Sequence, residues 1–186
     1  MSTTTAIQRV FFKTEFTTPE HPELLSVGLV AEDDLECYIE LDLESALGQR
    51  RIAVANPFAL KTVLSQWSRN LISGEVTQHI GFAAAGWLHR LAEHLEADLE
   101  LVYADRVDAD LLKAALKSAG TRWSRIEPRV RWAIVSYMND DASVAAAMNY
   151  SWATSLEGEG IARHHALADA RALAAGFKAI HGVESR

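Results

Sequence analysis

The sequence predicts an α/β protein in which a mixed sheet of five to six strands is flanked by helices on both faces. Two observations carry that expectation. Three strand-like segments follow one another between Ile7 and Leu41, and beyond them short apolar runs of strand length alternate with helical patterns. With 186 residues, 49% of them hydrophobic, the chain can build a full core without metal or disulfide staples, and one domain over residues 1–186 is expected.

In Ile7 to Phe16, Val10, Phe12, Thr14 and Phe16 alternate with Phe11, Lys13 and Glu15, which puts the two sets on opposite faces of a strand. Leu24 to Ala31 is a near-continuous apolar run, suited to a strand covered on both faces. Leu35 to Leu41 alternates and follows an acidic turn, so it should pair with the preceding run as an antiparallel hairpin. Arg50 to Pro57 reads as a short extended segment stopped by Asn56-Pro57, and Ala59 to about Asn70 as a helix. Gln78 to Glu96 reads as a longer helix, with Ile80, Ala84, Trp87, Leu88, Leu91 and Leu95 on one stripe. Leu99 to Ala104 follows as a buried strand and Asp108 to Ser118 as a helix. Arg131 to Tyr137 is expected as a strand, with a helix as the alternative, and Ser143 to Ala153 as a helix. A flexible Glu157 to Gly160 run then leads to the last helix, within His164 to His181, whose Leu167, Ala170, Leu173, Ala174, Phe177 and Ile180 share one face.

Composition narrows the function classes. A formal charge of −7 argues against a protein that coats long duplex nucleic acid, which needs a large phosphate-neutralising surface. It leaves room for a nuclease, because a pocket that gathers carboxylates around metal ions is itself acidic. Cys37 is the single cysteine, so there is no disulfide framework, and no secretory leader is apparent; the expected compartment is cytoplasmic. The longest apolar run, around Gly81 to Leu88, is too short to span a bilayer. No G-x-G-x-x-G follows any strand, which disfavours a dinucleotide-binding protein.

The chemistry concentrates near the last helix. His164 precedes it and Asp169 lies in its first turn, which sets a titratable base beside a metal-capable oxygen at a helix N-terminus. The plain alternative is a helix cap and a solvated first-turn acid. The pattern H-x-A-L-x-D-A, made by His164, Ala166, Leu167, Asp169 and Ala170, resembles the third motif of the DEDDh 3′ to 5′ exonucleases. Upstream, Thr14, Glu15, Phe16 and Thr17 resemble the first motif, D-T-E-F/T, and the run from Pro22 to Asp33 is similar to the hairpin of the small bacterial exoribonuclease branch. The position that is aspartate in that motif is Lys13 here. The second motif resembles D-A-D-L-L, headed by Asp108, with Asp105 as runner-up and Asp110 expected to face solvent.

The resemblance covers Phe11 to about Lys178 and implies a ribonuclease H-like fold. It further implies Mg²⁺ or Mn²⁺ on Glu15, Asp108 and Asp169, with His164 as general base on the attacking water. The substrate would be the 3′ end of single-stranded RNA or DNA, with nucleoside monophosphates as products, Phe16 and Thr17 against the terminal nucleotide, and a homodimer as the assembly. Lys13 departs from the pattern, since a protonated amine cannot ligate metal but can replace an ion's charge among carboxylates. Three readings follow: a silent member that binds without cutting, weak turnover with one metal, or an inactivating substitution. From the residues themselves, Arg122, Arg125, Arg129 and Arg131, interleaved with Trp123 and Trp132, suit a single strand; core tryptophans with paired arginines are the alternative. Arg122 and Trp123 are therefore candidate substrate contacts. His165 is the alternative base, the spacing of His79, His89 and His94 makes no zinc site, and His21 and His181 are expected at the surface.

Overall fold

The computed structural model describes residues 6–67, 74–135 and 141–181. Its frame is a six-stranded mixed sheet in the order β4-β3-β2-β1-β5-β6. The strands are β1 (Ile7–Phe16), β2 (Leu24–Ala31), β3 (Glu36–Leu41), β4 (Gly74–Thr77), β5 (Asp98–Tyr103) and β6 (Val130–Ile134). The first three form an antiparallel meander, and β4, β5 and β6 each join parallel to a neighbour. The helices are α1 (Ala46–Val54), α2 (Ile80–His94), α3 (Arg106–Ser118), α4 (Thr121–Ile126), α5 (Ala142–Glu159) and α6 (Ala166–His181).

The alternation in β1 sorts its side chains into two cores. Val10 and Phe12 pack with Leu88 of α2 and Leu112 and Leu116 of α3, whereas Phe11 turns the other way into a cluster with Leu167, Leu173 and Phe177 of α6. The Phe11 and Phe177 rings lie 5.1 Å apart. Every residue of β2 is buried, as a strand sandwiched between two helical layers must be. The ladder between β1 and β2 slips at Glu15/Phe16, an irregularity of the kind that re-aims side chains beside sites.

Several elements differ from the sequence expectation. Arg50 to Val54 is helical, because Ser45 caps α1 by accepting from the Gly48 N–H at 3.0 Å; the chain becomes extended only at Ala55. The helix expected from Ala59 is a wide π turn, Ala59–Val63, followed by a 3-10 turn, Leu64–Gln66, and its expected end at residues 68–70 lies outside the described residues. β4 and α4 had no clear periodic signal, being four and six residues long. The Glu157 to Gly160 run, expected to be flexible, is helical as far as Glu159: α5 continues through it, and Gly160, at φ 71°, closes the helix with its N–H on the Leu156 carbonyl. Of the two readings of Arg131 to Tyr137, the strand is found over Val130–Ile134, while residues 136–137 lie outside the described residues. Among the described residues no helix is long and apolar enough to cross a membrane.

The N-terminus of α6 is pressed onto the middle of β2. A Cβ on Gly28 would run into the backbone of Ala166 and Leu167, whereas one on Gly158, in α5, would meet nothing within 4 Å. Gly28→Ala is therefore expected to lower stability by about 1–3 kcal/mol through overpacking, while Gly158→Ala raises it by up to about 1 kcal/mol. Urea midpoints at unchanged m-values check both; a Gly28→Ala midpoint equal to wild type would contradict the close approach.

Candidate active site

The C-terminal half of β1, the first turn of α3 and the N-terminus of α6 meet at one end of the sheet. Lys13, Glu15, Phe16, Asp108, His164 and Asp169 all line the cavity formed there, whose volume is about 390 Å³. Lys13 and Glu15 stand two apart on β1 and so project to the same side of the sheet.

Asp108 is the most enclosed of these groups, at 2% exposure. Its Oδ1 accepts from the Thr14 backbone N–H at 3.0 Å and from the Thr14 hydroxyl at 2.7 Å, and its Oδ2 accepts from Lys13 Nζ at 2.5 Å. Both oxygens are thus engaged. Asp105 is the exposed N-cap of α3, accepting from the Val107 N–H at 2.9 Å, and Asp110 faces solvent. At α6, His164 adopts φ 67°, a left-handed conformation costly for a residue with a Cβ. Its N–H is thereby directed to the Asp169 carboxylate at 3.2 Å, while Trp152 Nε1 donates to the same carboxylate at 2.7 Å. The His164 ring meets Phe58 edge-on, with centroids 4.9 Å apart. His165, the alternative base, points away: it is buried against Tyr38 at 4.4 Å, and burial with the nearby Arg171 charge pushes its imidazole down to about 4.

Burial raises the Glu15 carboxyl to about 8, reinforced by the Asp169 and Asp108 charges and opposed by Lys13. Burial also raises Asp169, against the Trp152 hydrogen bond and the Lys13 charge. For Lys13, burial would lower the ammonium, but Asp108, Asp169 and Asp105 outweigh it and its pKa is raised.

The donor set expected for metal was Glu15, Asp108 and Asp169. The set with the right spacing is instead Glu15, His164 and Asp169, whose ligand atoms all lie within 4.8 Å of one another; among the described residues it is the cluster suited to an ion. Asp108 lies outside that set, its two oxygens engaged by Thr14 and Lys13. A single ion fits the chemistry of the donors, and an imidazole in the set favours Mn²⁺ or Zn²⁺ over Mg²⁺.

Three expected substrate contacts lie elsewhere. Thr17 is fully buried and closes the β1–β2 loop, accepting from the Glu23 N–H at 3.1 Å and donating to the His21 carbonyl at 3.3 Å. Trp123 sits in the core at 6% exposure, and Arg122 lies over Phe82 of α2, because α4 packs on α2 instead of on the strand ends. The sequence reading missed Asn56, Phe58, Trp152 and Arg163, which also line the cavity. Arg163 abuts the His164 motif and was within reach; Trp152 reaches Asp169 only because α5 packs on α6.

No protein-family model matches the sequence, and no curated protein sequence matches it. Among solved structures the chain is similar to the zinc-bound form of the E. coli ExoI–ssDNA complex, at 14% identity and a TM-score of 0.51, over 97% of this chain and 42% of that one. It is also matched to exonuclease I in its apo form, at 12% identity and a TM-score of 0.43, over 95% of this chain and 42% of that one. The chain thus spans about two fifths of the length of the structures it matches. That likeness shows the fold alone, a six-stranded mixed α/β sheet of the ribonuclease H-like kind.

In the metal-free protein Glu15 holds its proton to higher pH than in the unfolded chain. Between the ordinary carboxyl value of 4.5 and about 8 the native state binds more protons, so this group's contribution to stability is fully present below 4.5 and is lost as pH rises to about 8. Glu15→Gln is expected to flatten that decline in urea titrations run in EDTA across this window. An unchanged slope would place the proton elsewhere.

Proposed function

We propose that this protein engages the 3′ end of single-stranded RNA or DNA as an exonuclease-like protein whose hydrolysis is impaired by Lys13. The observation that carries the reading is the Lys13 ammonium paired to Asp108 inside the cavity that Glu15, His164 and Asp169 also line. In an active site of this design, two ions share carboxylates and stabilise the attacking and leaving oxygens. Here lysine supplies one positive charge at a fixed place and no open coordination position.

Glu15, His164 and Asp169 would hold one divalent ion, Mn²⁺ in preference to Mg²⁺, which would supply Lewis-acid charge to a phosphate oxygen. His164 then serves as a ligand or as the base on water, and with one imidazole it cannot do both at once. Phe16 and Phe58 offer apolar surface to a terminal nucleoside, and Arg163 offers a cation to its phosphate. A catalytically silent binding or protein-interaction module is the second reading, favoured by the engagement of both Asp108 oxygens by Thr14 and Lys13.

Lys13→Asp separates them. Losing the lysine and regaining the carboxylate should raise release of 3′-terminal nucleotides from a labelled oligonucleotide on the order of a thousandfold in Mn²⁺. The same variant should melt below wild type in EDTA, since carboxylates then crowd without a counter-charge, and should gain more melting temperature from Mn²⁺ than wild type does. A variant that binds Mn²⁺ yet neither cleaves nor binds mononucleotide would favour the interaction module.

A further inference from the structure

The chain is acidic, yet one face concentrates positive charge without opposing partners. Where α4 packs on α2, Arg90, Arg122 and Arg125 surround a depression of about 450 Å³. Three other arginines are neutralised by carboxylates: Arg9 meets Glu32 and Glu100, Arg129 meets Asp98, and Arg171 meets Glu36 and Glu159. Among the described residues no carboxylate pairs with Arg90, Arg122 or Arg125, and the acid of this face, Glu93, lies 3.3 Å from His89. Arg122 is held ready in its position. Its guanidinium carbon sits 3.7 Å over the Phe82 ring, its Nη1 donates to the Phe82 carbonyl at 3.3 Å, and Gly86, one turn on, leaves the room it occupies. Phe82 itself is 49% exposed.

This depression does not end at Phe82. The same ring lines a larger cavity of about 730 Å³, which also receives Arg51 and His79 and reaches Pro22. Pro22 belongs to the β1–β2 loop, and Pro19 of that loop lines the candidate active site. The larger cavity and the candidate active site are thus both bordered by the β1–β2 loop, at Pro22 and at Pro19.

We propose that the α2–α4 face binds the phosphate backbone of single-stranded nucleic acid, 5′-ward of an end held at the candidate active site. Unpaired guanidinium groups match phosphates in charge and planar geometry, and an exposed aromatic beside them accepts a base face without sequence preference. The small size of the patch suits a single strand; a duplex coat would need far more positive surface. The strand's polarity rests on the function proposed above, but the phosphate site itself does not.

Fluorescence anisotropy tests this with 5′-labelled oligothymidylates of about 16 and about 3 nucleotides, beside calorimetry with thymidine monophosphate and Mn²⁺. The R122E/R125E and R122Q variants are compared with wild type. The 16-mer is expected to bind wild type more tightly than the trimer, and R122E/R125E to weaken it about tenfold or more at about 50 mM salt. The variant's log–log salt slope should fall by about 1.4, two phosphate contacts at ~0.7 each. R122Q should give a smaller loss in the same direction, with trimer and monophosphate binding unchanged. Equal 16-mer affinity in all three proteins, or a 16-mer bound no better than the trimer, overturns the proposal. If monophosphate fails to bind while the 16-mer still depends on the arginines, the phosphate site stands and the reading of the candidate active site falls.

Discussion

A buried carboxylate has to be answered by something, and in this protein Asp108 is answered by Thr14 and Lys13. Desolvating an ion costs several kcal/mol unless hydrogen bonds and an opposite charge offset it. Asp108 collects three donors, two from one residue of β1 and the third from its neighbour, so α3 is tied to the central strand at its first turn. That tie also fixes the chemistry. An ammonium group occupies the middle of the acidic cluster permanently, where an exchangeable ion would leave positions open to water or phosphate.

The remaining carboxylates behave as members of one charge cluster. Burial and the Asp169 charge make Glu15 harder to ionise, burial does the same to Asp169, and both are relieved by the same lysine. Trp152 and the His164 N–H steady Asp169 from the α5–α6 side, at the cost of a left-handed histidine backbone. Such strain persists only where packing over-determines it, and here α6 is pinned against β2 at Gly28. The site thus depends on the same helix-to-strand contact that closes the second core.

Most strands and the long helices could be read directly, because one face of each carries apolar residues at an unambiguous period. The strand alternation of Val10, Phe11 and Phe12 and the stripe of α2 are instances. Errors gathered where local signals were short or competed. Arg50 to Val54 carries β-favouring residues, yet the Ser45 cap propagates helix through them. Gly158 falls in the run expected to be flexible, yet α5 continues through it, because a single glycine costs a helix only about 1 kcal/mol.

At the site the division is similar. The chain alone determined that acid, histidine and lysine lie at the ends of particular strands and helices, because motif spacing and periodicity are local properties. Tertiary structure decided which of them touch: that Lys13 closes on Asp108, that His164 and not His165 faces the cavity, and that Arg122 belongs to a separate face with Arg90 and Phe82. Those pairings join residues distant in sequence, and only the packing of helices on the sheet sets the distances on which charge and hydrogen bonding act.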